Sequence, residues 1–134
     1  MDQRNPTALL QMALAARRMG RLPAAVAALR AALTLAPNEP ALHADLGDLY
    51  AELRLFVDAS RCYMRAWTLH PLLWASAKTR ADEYEEEAAE LRRQGKSSAG
   101  SEKSLGEVRA MISLAEEQFK KKSAQTKSQP SVRA

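Results

Sequence analysis

A single cysteine, Cys62, stands in 134 residues, so no internal disulfide can form, and a reducing, cytoplasmic setting is expected. With no histidine flanking it, Cys62 reads as a small buried apolar residue rather than a reactive thiol. Aromatic residues are only 5%, no stretch alternates with period two, and Asn-Gly and Asp-Gly turns are missing. The signals of a sheet are therefore absent. The five glycines are scattered, which excludes a phosphate-cradling loop, and neither a nucleophile elbow nor a zinc-protease helix appears. His43 and His70 stand apart from Cys62 and from carboxylates at ligand spacing, so both read as structural. No apolar run approaches the roughly 20 residues that cross a bilayer. The expectation is a chain that is not an enzyme and has no cofactor and no metal.

Acids are also missing from one region. Residues 3–38 hold five arginines and no acid. That composition matches a mitochondrial targeting segment and keeps that compartment as the alternative to the cytoplasm. The net charge of +4 is otherwise dispersed: residues 38–100 carry eight basic residues against eleven acids, and residues 101–134 seven against four. A nucleic-acid binder concentrates its cations on one face, so neither nucleic acid nor membrane is the expected partner. The acidic run Asp82, Glu83, Glu85, Glu86, Glu87 and Glu90 has Lys78 and Arg93 within a helical turn and reads as a solvated helix face. Hard cations need oxygens converging from a loop, and no such loop is present.

Alanine is abundant and apolar residues reach 46%, which favours closely packed helices. The ending "LTLAP" at Leu33–Pro37 returns as "WTLHP" at Trp67–Pro71, an interval of 34 residues. Aligning the prolines sets Ala13 against Gly47, Ala16 against Tyr50, Gly20 against Arg54, Ala25 against Ala59, Leu29 against Tyr63 and Ala32 against Ala66. A fixed period of this size marks stacked supersecondary units. Each unit reads as two helices: Leu9 to Ala16 and Val26 to Leu33 in the first, about 41–53 and 57–69 in the second. Gly20 can end one helix in the left-handed conformation, and Pro23 fits the first turn of the next. Small residues on the contact lines, Ala13 or Gly47 facing Ala25 or Ala59, let paired backbones approach closely. Tyr50, Tyr63 and other large residues fill the layers between units, with Ala66 at a further contact.

These residues resemble the tetratricopeptide repeat. Its pattern is met in the second unit by Leu46-Gly47, Tyr50, Ala59, Tyr63, Ala66 and Pro71, with His43 where tryptophan is usual. In the first unit Gly20, Ala25, Ala32 and Pro37 match, while Ala13, Ala16 and Leu29 replace glycine, tyrosine and the aromatic. The expected fold class is all-α: two stacked helix-turn-helix units, a long capping helix and a separate C-terminal amphipathic helix. The boundaries read as a leader 1–5, units 6–39 and 40–73, a capping helix 72–94, a linker 95–103, an amphipathic helix 104–122 and a disordered basic tail 123–134. Leu73, Trp74, Ala77, Ala81 and Tyr84 give the capping helix its apolar side, and its far half is expected in solvent.

The resemblance implies a groove lined by the first helices of successive units. By position it would show Leu10, Leu14, Arg17 and Arg18, then Ala44, Asp48 and Glu52, then Lys78, Asp82 and Glu85. The family's clamp for chaperone tails places Asn and Lys where Leu10, Leu14, Ala44 and Asp48 stand here, so that specialisation is rejected. A peptide or helix of another protein, apolar with basic residues, is the implied partner of a non-enzymatic adaptor. Farther on, Leu105, Val108, Ile112, Ala115 and Phe119 form a narrow stripe of coiled-coil type. Too short to stand alone, the stripe must pack on its own domain or on another chain. Two expectations follow: the C-terminal helix occupies the groove in cis until displaced, or it is the docking stripe of an assembly subunit, in a homo- or hetero-oligomer.

Overall fold

The computed structural model describes residues 5–95 and 105–128, without the side chains of residues 105 and 122–128. The start of the leader, most of the linker and the end of the tail lie outside the described residues. Six helices and no strands make up the described chain: α1 (Pro6–Arg18), α2 (Leu22–Leu35), α3 (Pro40–Glu52), α4 (Phe56–Leu69), α5 (Ala75–Arg93) and α6 (Leu105–Ser128).

Prolines open three of these helices, where a missing amide costs nothing: Pro6 in α1, Pro23 in α2 and Pro40 in α3. Asn5 caps α1 by accepting the Thr7 amide at 2.8 Å. The ends of α1 and α3 are closed by the same device. Gly20 donates to the Arg17 carbonyl (2.9 Å) and Arg21 to Ala16 (2.9 Å); thirty-four residues on, Arg54 donates to Ala51 (2.9 Å) and Leu55 to Tyr50 (2.8 Å). This double bond requires a left-handed residue, and both positions adopt it, at φ 78° for Gly20 and 64° for Arg54.

Short turns return each helix against the one before it, so α1 packs on α2, α2 on α3, α3 on α4 and α4 on α5. Small residues sit at the closest contacts. Ala13, Ala25, Ala32, Ala59 and Ala66 are all buried. A Cβ on Gly47 would lie 2.8 Å from Cδ2 of Tyr63 and 3.2 Å from the Ala59 carbonyl oxygen, so α3 and α4 meet at a distance only glycine allows. The buried Ser60 hydroxyl donates to the Ala81 carbonyl at 2.8 Å and ties α4 to α5.

Four features differ from the sequence reading. Helix α5 begins at Ala75, because the chain first makes a turn at 71–74 that leaves Leu72 and Leu73 in solvent. Its far half is not solvated on every side: Ala88 and Leu91 are buried with Phe56, beside Ala51 and Val57. The glutamates that dominate this stretch occupy the other sides of the helix. Helix α6 runs to Ser128 rather than ending near Lys122, since Lys, Ala and Gln continue a helix readily.

The fourth difference concerns where α6 lies. It packs on α2, with Arg109 paired to Asp58 at the start of α4 (2.7 Å) and Glu116 to Arg30 of α2 (3.2 Å). Val108 and Ile112 join the core that contains Val26, Leu29 and Leu55, and Phe119 packs against its edge. Val108 and Ile112 of the stripe are thus covered by this chain's own second helix. Helix α6 does not fill the face of the first helices. The physical reason is α2 itself: in "LPAAVAALRAALTL" the one charged residue is Arg30, so α2 has no polar outer side and must be covered.

Two outcomes are expected. Arg54→Gly relieves a left-handed conformation that costs about 1–2 kcal/mol, against about 0.5–1 kcal/mol lost where the guanidinium lies over the Phe56 ring. A modest rise in the urea midpoint is therefore expected, whereas Arg54→Val should lower it. Ile112→Ala should cost about 2–5 kcal/mol in the same melts and expose α2 to a hydrophobic dye.

Candidate interaction face

The first helices α1, α3 and α5 share a face on which polar side chains connect successive units. Arg17, in the last turn of α1, forms an ion pair with Glu52 at the end of α3. On α3, Asp45, Asp48 and Glu52 follow at helical spacing and form an acidic ridge. The Tyr63 hydroxyl reaches through from α4 and donates to Oδ1 of Asp48. Burial, followed by this bond to a carboxylate, pushes the Tyr63 phenol well above its ordinary value, so it stays a neutral donor. From α5, Arg80 lies over the rings of Tyr63 (5.9 Å) and Tyr84 (6.0 Å), which are 5.7 Å from each other.

The groove residues implied by the family resemblance fall into several environments. Arg17 and Glu52 hold each other, Asp48 holds Tyr63, and Lys78 lies 3.5 Å from Asp82 one turn along α5. Arg18 and Glu85 are exposed; Leu10 and Leu14 are half-buried, Leu10 against the main core. Ala44 is not available to a partner: it is 5% exposed and packs with Tyr63, Ala66, Ala77 and Ala81. The reason is the roll of α3, which turns this alanine toward α4 and α5. Of the docking stripe, Val108 and Ile112 are buried, Ala115 and Phe119 half-buried, and the Leu105 side chain lies outside the described residues.

Three residues on this face were not among the sequence candidates for it. Asp45 precedes Asp48 by three residues, the spacing that could have flagged it. Arg80 precedes Tyr84 by four and could have been found the same way. Tyr63 appeared only as a packing residue, and its hydroxyl gave no signal in the sequence.

Asp45 is the least compensated member of the ridge. It is half-buried and makes no hydrogen bond or ion pair among the described residues. Burial first, and then the neighbouring Asp48, raise its pKa, with Arg17 opposing. The two histidines are both engaged with backbone: His43 Nε2 lies 2.8 Å from the Pro37 carbonyl oxygen, and His70 Nδ1 accepts the Leu73 amide at 3.2 Å. Burial pushes the Cys62 thiol up to about 12, so it carries almost no thiolate at neutral pH. Among the described residues no group of three or more His, Cys, Asp or Glu side chains is placed to hold a metal ion. No helix among them is long and apolar enough to cross a membrane.

A raised folded-state pKa means that the native state holds the Asp45 proton more tightly than the unfolded chain does. Its favourable contribution is complete below the ordinary aspartate pKa of about 3.9 and is lost as pH rises through the raised value. Asp45→Asn should therefore raise the melting temperature at pH 7 and leave it little changed near pH 3.

In a comparison with protein families, residues 6–49 fit the model of the tetratricopeptide repeat. Neither the curated proteins nor the solved structures compared give a match to the chain. The matched segment covers α1, α2 and most of α3, a whole helical hairpin and the start of the next. With antiparallel helices stacked in sequence and small residues at their contact lines, the chain is a tetratricopeptide-like repeat protein.

Proposed function

We propose that this protein is a non-enzymatic adaptor whose first-helix face binds a basic, partly apolar segment of another protein. The observation that carries the reading is the acidic ridge on α3. Arg17 neutralises Glu52, but Asp48 is met only by a neutral hydroxyl and Asp45 by no hydrogen bond or ion pair among the described residues. Two carboxylates at the centre of the face are left for a cation from outside. The half-buried Leu10 and Leu14 on α1 and the Tyr63–Tyr84 pair supply apolar contacts on either side of the ridge. A lysine- or arginine-bearing helix with one apolar stripe fits that arrangement, with charge setting selectivity and on-rate and the apolar sides adding affinity.

The family as a whole consists of interaction modules, and this is the wider support for the reading. The position of α6 bears on the two other functions considered. Its stripe is spent on α2, so docking through residues 105–119 would require α6 to leave α2 first. The packing of α6 on α2, rather than on α1, α3 or α5, supports reading the C-terminal helix as a cover for α2 over a competitor for the partner.

Fluorescence anisotropy with labelled amphipathic peptides tests the proposal. Peptides with lysine or arginine beside an apolar stripe should bind, and charge-reversed versions should not. Asp45→Asn combined with Asp48→Asn should weaken binding at least about tenfold, given that charge-assisted contacts carry about 1.5–3 kcal/mol, and flatten its salt dependence. Equal binding of basic and acidic peptides, or no effect of the double substitution, would remove the ridge from the interface.

A further inference from the structure

Alternating helices place the two turns that lead from one hairpin to the next, 36–39 and 70–74, at the same end of the stack, opposite the turns closed by Gly20 and Arg54. This end is unusually apolar at its tip. Leu72 is 91% exposed and Leu73 73%, and Leu35, beside the other turn, is 46% exposed. The leucines are not loose. The His70 carbonyl accepts the Trp74 amide at 2.9 Å, and His70 Nδ1 accepts the Leu73 amide, so one residue closes the turn twice. Leaving two adjacent leucines in water on a fixed turn opposes the hydrophobic effect, and such exposure marks a contact surface.

The surroundings indicate what covers it. From residue 59 to residue 81 the chain carries Arg61, Arg65, Lys78 and Arg80 and no acid. Lys78 reaches back to Asp82 and lies 5.9 Å from the centre of the Trp67 ring; Arg80 pairs with Glu83. No ion pair holds Arg61 or Arg65 among the described residues. The neighbouring turn, 36–39, carries one acid, the exposed Glu39. Trp67 and Trp74 flank the leucines, half-buried in the cluster of Ala66, Ala77 and Ala81. An apolar tip, two tryptophans behind it, Lys78 beside one of them and the exposed Arg65 five residues before His70 match the layers of a lipid interface, from acyl boundary to phosphate. A protein socket would more commonly meet a flat patch with its aromatic rings at the centre.

We propose that the 70–74 turn is a membrane-surface contact: Leu72 and Leu73 enter the acyl boundary of an anionic bilayer while Arg65 and its neighbours meet the headgroups. The contact is peripheral and reversible, since two side chains bury little area. It leaves the face of the first helices open, so the partner-binding reading neither requires it nor falls with it.

Co-sedimentation of the full chain with phosphatidylcholine vesicles, with and without phosphatidylserine, tests this. Binding to the phosphatidylserine vesicles alone is expected. Arg65→Glu should reduce it by at least about fivefold, as each surface cation contributes. Leu72→Ser with Leu73→Ser should abolish it with the helical circular dichroism unchanged, because both side chains are already in solvent. Three results would overturn the proposal. The wild type could fail to bind; the double leucine variant could bind as well as wild type, which would assign binding to the lysines at the end of α6; or the wild type could self-associate in sedimentation velocity without lipid and lose this with the leucines, which would make the tip a protein contact.

Discussion

The whole arrangement depends on how closely paired helices approach. At Gly47 the backbone of α3 lies against the Tyr63 ring and the Ala59 carbonyl, with no room for a methyl group. Ala13, Ala25 and Ala32 line the corresponding contact of the first hairpin, all buried. This closeness turns the Tyr63 hydroxyl through to Asp48, while Arg17 on the first hairpin pairs with Glu52. The candidate interaction face is therefore a by-product of packing, since the same side chains that fill the interior fix the spacing of the charges outside.

The stack was legible because its punctuation is covalent. Proline, glycine and alanine act through the backbone, and their effect does not depend on distant neighbours. Pro37 and Pro71 locate the turns, and Gly20 and Arg54 share one backbone conformation despite having nothing else in common. The family match adds a counterweight: it covers residues 6–49, largely the unit whose consensus residues are most replaced, and stops before Tyr50. Helical size and spacing, more than the aromatic signature, identify that unit.

Other features were not legible, for reasons that can be named. The stripe on α6 states that the helix must be covered but not by what, because an apolar stripe fits any apolar surface. The decisive information lay seventy residues upstream, in the absence of a polar side on α2. Ala88 and Leu91 were obscured by the charged residues beside them, Glu87, Glu90 and Arg92. Ala44 fell at a groove position by the family resemblance, yet α3 turns it inward against Tyr63, Ala66, Ala77 and Ala81. Asp45 and Arg80 have a helical spacing that could flag them, to Asp48 and to Tyr84, but they gain their meaning from neighbours on other helices, which that spacing does not name.

The cover over α2 also sets an order in time. Helix α2 ends at Leu35 and α6 begins at Leu105, so the ribosome must add about 70 residues between the two. At roughly 5–20 residues per second that is several seconds during which the nascent hairpin shows an alanine- and leucine-rich flank to its surroundings. Translation speed through the middle of the message, and the holdases near the exit tunnel, then become part of how this protein reaches its native state.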